Sequence, residues 1–165
     1  MPGEASAFDI KALKARIDAA FAADARPPAM SLRAGDAIDS GLAPPPWDAS
    51  LDTPGPAYLD AHYCGLGYLD AQSWRHYLPI LMHDALDRFR EHAPMSILGL
   101  LFSLRPPDRE PSRFGSLSPE QEATVSQFLD VLAFDPLSQW VEEAITALEE
   151  YWAPGAIHRR SGAVP

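Results

Sequence analysis

The chain has 165 residues, 47% of them hydrophobic and 22% charged, with 23 acidic side chains against 13 basic ones and a formal charge of −10. That length suits one domain able to bury most of its apolar surface. The composition excludes a disordered chain, and the charge disfavours nucleic acid as a direct ligand, because phosphates need a basic face.

The first predicted helix runs from about Ala7 to Ala25, with Ser6 and Asp9 spaced as a capping box and Ile10, Leu13, Ile17 and Phe21 as its buried stripe. Arg26-Pro27-Pro28 ends it, since a residue before proline avoids the helical region. Residues 27–57 hold seven of the seventeen prolines, including Pro44-Pro45-Pro46, and read as a long Pro-rich loop within the domain. Trp47 is expected to pin that loop to the core. Residues 57–69 read as a short helix or a strand, with Gly65 and Gly67 marking a turn or a close backbone approach.

The chain is organised around the stretch from Gly67 to Ala93. Trp74, Tyr77, Leu78, Leu81, Met82, Ala85, Leu86 and Phe89 recur in steps of three and four, the stripe of one helix face. Asp70 stands at the N-cap. The stripe passes through Pro79 in phase, which predicts one kinked helix whose solvent side carries Gln72, Arg75 and Arg90. Residues 95–104 are apolar on all sides and read as a buried helix, although their length does not exclude a strand. Residues 105–116 form a loop with three arginines. Ser118, Pro119 and Gln121 make a strong helix start with a capping box, followed by the stripe Val125, Phe128, Leu129 and Leu132. Asp135-Pro136 breaks that helix and begins the next, which carries Leu137, Trp140, Val141, Ala144, Ile145, Leu148 and Trp152 and ends at Pro154-Gly155. The sequence therefore predicts an all-α fold: one small irregular helical bundle of about four to six helices over residues 1–155, and a flexible tail over 156–165.

The lone Cys64 allows no internal disulfide, the N-terminus shows no basic-then-apolar leader, and no stretch approaches the ~18 apolar residues of a membrane span. These features predict a cytoplasmic protein with no membrane partner. His76, His83 and Asp87 share one helix face, and imidazole and carboxylate are ordinary zinc ligands. His76 and His83 are separated by about 10.5 Å of rise, too far to share one ion on a straight helix. His83 and Asp87 remain as metal-ligand candidates; alone they make no site, and a solvated His–Asp pair is the plainer reading. Cys64 near His62 is a nucleophile candidate that reads better as a small buried hydrophobe beside Tyr63. No HExxH, GxSxG, Walker-type glycine loop or CxxC pair is present, and no cofactor or catalytic residue is expected.

The charge is uneven. Between Gly115 and Pro154 stand eight carboxylates and no Lys or Arg. Glu120, Glu122, Asp130, Glu142, Glu143, Glu149 and Glu150 are the candidate partner-binding residues, and a basic protein is the partner they would steer. The leading expectation is thus a non-enzymatic acidic protein-interaction domain. Two alternatives stand beside it. One is a small-molecule or metal-dependent enzyme using the His, Asp and Cys side chains of residues 62–87. The other is a self-associating structural or regulatory subunit that turns Trp140 and Trp152 toward a partner copy.

Several phrases occur as a set. Leu69 opens LDAQSWRHYLPILMHDAL, Phe114-x-x-Leu117-Ser118-Pro119-Glu120-Gln121 leads into Val125 and Phe128-Leu129, and Leu148-x-x-Tyr151-Trp152 closes the series. Together with the opening helix ending in Phe21, they resemble a family of small bacterial proteins known only as a domain of unknown function. The likeness spans about two thirds of the chain and omits residues 27–57. It implies a common fold and a bacterial source, and transfers no active site. Small acidic helical proteins of this type also resemble immunity proteins that neutralise bacterial toxins, an analogy of form.

Overall fold

The computed structural model describes residues 6–160. Its helices are α1 (Ile10–Ala20), α2 (Leu32–Asp39), α3 (Pro56–Ala61), α4 (Ala71–Arg88), α5 (Met95–Ser103), α6 (Pro119–Phe134), α7 (Val141–Ala147) and α8 (Ile157–Arg160). Short 3-10 turns cover Ala22–Asp24, Tyr63–Tyr68 and Phe114–Ser116, and a π turn continues α7 over Leu148–Trp152. The fold is all-α, with no strand among the described residues. None of the described helices is long and apolar enough to cross a membrane.

α4 is the central element. The Asp70 carboxylate accepts the Ser73 backbone N–H at 2.9 Å and the Ser73 hydroxyl at 2.7 Å, which fixes its start. The helix runs unbroken through Pro79, and all eight residues of its predicted stripe are buried. α1 and α5 pack against α4, α6 packs on α1, and α7 packs on α6. The Trp74 ring sits against Phe114, and its indole N–H points to the Ser103 hydroxyl at 3.4 Å. Truncating Leu81 to Ala removes contacts on all sides and is expected to cost roughly 2–5 kcal/mol. Denaturation curves overlaying wild type would place Leu81 outside the core.

The supposed solvent side of α4 is partly covered. Only Arg90 is well exposed; Arg75 and Gln72 are half-buried. The chain after α1 crosses over them. Asp24 is buried there, accepting from Arg75 Nε at 3.1 Å and from Gln121 Nε2 at 2.8 Å, while Gln72 accepts the Ala29 N–H at 3.0 Å. This crossing also explains why α1 ends at Ala20 rather than near Ala25. Its last turn tightens into the 3-10 geometry that delivers Asp24.

Other expectations are corrected. α1 starts one turn late because Asp9, not Ser6, caps it, accepting from the Ala12 N–H at 2.9 Å; the Ser6 hydroxyl donates to Asp135 at 2.6 Å instead. The segment 27–57 contains α2, capped by Ser31. Trp47 is exposed rather than buried. The loop is pinned by Asp52, which is 0% exposed. Asp52 takes Arg33 Nε and Nη2 at 3.0 Å each, the Tyr58 hydroxyl at 2.8 Å and the Asp48 N–H at 2.9 Å. Residues 57–69 are helical, as α3 and a 3-10 turn. In the segment 95–104, α5 forms as expected, but Phe102 and Met95 are exposed. Asp135-Pro136 does not start α7. The chain first crosses toward α4, where the Gln139 N–H bonds the Phe89 carbonyl at 3.0 Å, and α7 begins only at Val141. Within the segment 156–165 the short helix α8 forms, and Arg159 pairs there with Glu122 at 3.1 Å and stacks on Tyr151; residues 161–165 lie outside the described ones.

A polar knot ties α3, α4 and α5. Arg88 donates Nε and Nη2 to Asp84 at 3.0 and 2.7 Å, and Nη1 and Nη2 to Asp60 at 2.8 and 3.1 Å. Ser96 completes it, its N–H on Asp60 at 3.0 Å and its hydroxyl on Asp84 at 2.9 Å.

Candidate functional site: an acidic groove beside α7

The fold divides the seven predicted partner-binding carboxylates into two sets. Three are neutralised within the chain. Glu120 accepts from Arg16 at 3.1 Å, Glu122 from Arg159 at 3.1 Å, and Glu150 from Arg105 through two bonds at 3.0 and 2.6 Å. Asp130, Glu142, Glu143 and Glu149 have no ion-pair partner among the described residues, and all lie on α6, α7 and the π turn.

These four flank apolar surface. A groove of about 380 Å³ is lined by Phe134, Ile145, Leu148, Trp152, Ala153 and Pro154, with Asp130 and Glu149 among them. Phe134 at its edge is 61% exposed, a large apolar area left in water. A second, smaller groove of about 200 Å³ is lined by Leu98, Leu101 and Phe102 together with Glu142, Glu143, Thr146 and Arg105, and Phe102 is 62% exposed. Burial raises the Asp130 carboxyl above its ordinary value, and Arg16, which shares a neighbouring cleft with it, is paired with Glu120 instead. The groove therefore holds a carboxylate whose charge is poorly solvated and uncompensated, next to an aromatic ring.

The histidines and the cysteine lead elsewhere. His76, His83 and Asp87 do line one cleft of about 630 Å³, together with Asp18, Asp84, Phe21 and Pro79. Each is engaged separately, however. His76 Nδ1 meets the Asp24 carbonyl at 2.9 Å, His83 Nε2 meets Asp18 at 2.8 Å, and Asp87 pairs with Lys14. The anticipated His83–Asp87 pair is replaced by contacts to α1, because α1 packs against this part of α4. Among the described residues no group of three or more His, Cys, Asp and Glu could hold a metal ion. His62 binds Asp36 at 2.8 Å. Cys64 is half-buried rather than fully so. Trp140 and Trp152 are buried and donate their indole N–H groups to the carbonyls of Glu91 and Leu104 at 3.0 and 2.7 Å. They offer no surface to a second copy.

Phe134 and Phe102 were not among the expected site residues. Phe134 had a readable signal, since it falls off the Val125–Phe128–Leu129–Leu132 stripe and stands one turn after Asp130. Phe102 had none, being inside an all-apolar run.

The model of a family of unknown function (DUF6714) matches residues 9–156. No curated protein and no solved structure matches the chain.

Proposed function

We propose that this chain, which belongs to that family of unknown function, is a protein-interaction domain that docks a basic, apolar-faced segment of a protein partner in the groove beside α7. The observation that carries this reading is the exposed Phe134 beside uncompensated Asp130 and Glu149. An aromatic edge supplies desolvated contact area, and the carboxylates select a cationic partner and speed its approach. The internally paired Glu120, Glu122 and Glu150 belong to the fold rather than to this surface. An immunity or adaptor role fits such a domain, and a bacterial, cytoplasmic setting fits its composition.

Calorimetric titration of the full chain with an amphipathic Leu/Lys peptide, and with its Leu/Glu counterpart, tests the reading. The Lys peptide should bind, more weakly as salt rises, and Phe134→Ser or Asp130→Asn should each weaken it about tenfold, the effect of one lost anchor or charge-assisted bond. Equal binding of the Glu peptide, or an unchanged affinity in Phe134→Ser, overturns it. The pH dependence has a definite sign. Because the Asp130 carboxyl is raised in the folded chain, folding stability falls as pH rises from the unfolded toward the folded value. Asp130→Asn should therefore melt higher than wild type at neutral pH and coincide with it below the carboxylate range. A lower melting point at neutral pH would show that the charge is compensated.

A further inference from the structure

A second cleft, on the loop between α5 and α6, has the opposite character. In a chain of charge −10, three of the eleven arginines, Arg105, Arg109 and Arg113, line one cleft of about 570 Å³. That volume lies within the range of small-molecule sites. The loop is held rigidly by Asp108, whose carboxylate accepts the backbone N–H groups of Arg109, Arg113, Phe114 and Gly115 at 2.8, 2.9, 3.0 and 3.3 Å, and the Ser112 hydroxyl. Burial alone would raise this carboxyl, but the hydrogen bonds outweigh it, and its pKa lies below the usual carboxylate value. Asp108 is thus occupied by its own loop.

The arginines differ in what neutralises them. Arg105 is held by Glu150 through two bonds. Arg113 is only 4% exposed, and its guanidinium meets backbone carbonyls instead of a carboxylate: Nε donates to Leu69 O at 3.1 Å, and Nη2 donates to Leu69 O and to Gly67 O. No carboxylate stands within ion-pair distance of Arg113 or Arg109 among the described residues, and Arg113 Nη1 has no hydrogen bond there. Burial, with the nearby Arg109 adding repulsion, pushes the Arg113 pKa down to about 10, against the opposing pull of Asp108 and Asp70. Buried charges are ordinarily paired directly; this one feels Asp108 and Asp70 only from beyond ion-pair distance. Phe102, Pro106, Pro107 and Phe114 supply apolar walls to the same cleft.

We infer that the cleft between the 105–114 loop and the Tyr63–Tyr68 turn binds a small organic oxyanion, its carboxylate or phosphate group between Arg109 and Arg113 and its apolar body against Phe102 and the two prolines. A guanidinium fork matches either oxyanion bidentately. The inference is independent of the groove beside α7, since Phe134 and Asp130 take no part in it. The test uses the full chain, amide chemical-shift titration, and three probes that share a ring: phenyl phosphate, benzoate and neutral benzyl alcohol. At least one anion should bind and shift the Gly67 and Arg109 amides, and the preferred anion separates the phosphate from the carboxylate source. Benzyl alcohol should not bind. Arg109 makes no side-chain bond among the described residues, so Arg109→Gln should fold and lose about tenfold or more in affinity, the effect of one charge-assisted bond. Arg109→Lys, keeping the charge without the fork, should fall between. Binding of neither anion, binding of the alcohol as well as the anions, or unchanged affinity in Arg109→Gln overturns the inference.

Discussion

Replacing Gly65 by alanine is expected to lower stability by roughly 3 kcal/mol or more, at or beyond the upper end of ordinary overpacking. A Cβ at Gly65 would stand 2.2 Å from the Leu32 carbonyl oxygen and 2.5 Å from the Asp36 nitrogen. Both are backbone atoms of α2 and its first turn, so no rotamer change relieves the clash; the 3-10 turn and the helix must part. Gly35 sits on the other side of the same contact, where an added Cβ would lie 2.3 Å from the Gly65 carbonyl oxygen. Gly35→Ala should cost a similar amount. The double variant should cost less than the sum, because one separation accommodates both methyls. Gly55→Ala, with open space around the added carbon, should stay near wild type. Urea unfolding of the four proteins measures this. Wild-type stability in Gly65→Ala would mean that α2 does not rest on the 3-10 turn.

Arg88→Met is the second large effect, expected at roughly 3–5 kcal/mol, the cost of leaving buried charge without its partner. Asp84, 8% exposed, and Asp60 then face each other with only Ser96 between them. The pH dependence checks the cause. Burial works to raise the Asp60 carboxyl, but the hydrogen bond from Arg88, followed by that from the Ser96 N–H, wins and holds it below the ordinary value. A depressed carboxyl contributes stability that is present above its unfolded pKa and lost as pH falls through its folded one. In Arg88→Met only the Ser96 bonds still oppose burial, so Asp60 protonates more readily and protonation costs the variant less stability than it costs wild type. The deficit against wild type should therefore be largest at neutral pH and shrink near about pH 4, where carboxylates take up protons. A deficit that does not change with pH would assign the loss to the packing of the Arg88 stem.

The candidate sites were unequally legible in the sequence. The count of carboxylates after Gly115 could be read directly, but which of them are free could not. Arg16, Arg105 and Arg159 neutralise Glu120, Glu150 and Glu122 from positions 104, 45 and 37 residues away in the chain. The three arginines of the 105–116 loop were equally visible as a cluster. Only the fold separates Arg105, which is paired, from Arg113, which is buried against carbonyls.

The class of the fold, and the elements that carry a local signal, are legible in the amino-acid pattern alone. The α4 stripe, the Asp70 cap and the Ser118–Gln121 capping box all appear in the structure, the last with both of its bonds formed. Their causes lie within one or two helical turns: apolar residues repeating at the helical period, and side chains that reach the free N–H groups of the same first turn. The remaining features depend on contacts distant in the chain. Ser6 gave up its expected cap for Asp135, α2 formed in a Pro-rich segment where its glycine meets Gly65, and α7 waited until the chain had crossed to Phe89. In each case one polar group or one methyl-free backbone position had a local choice and a distant one. The distant choice won because it also buries apolar surface, which local hydrogen bonding cannot do.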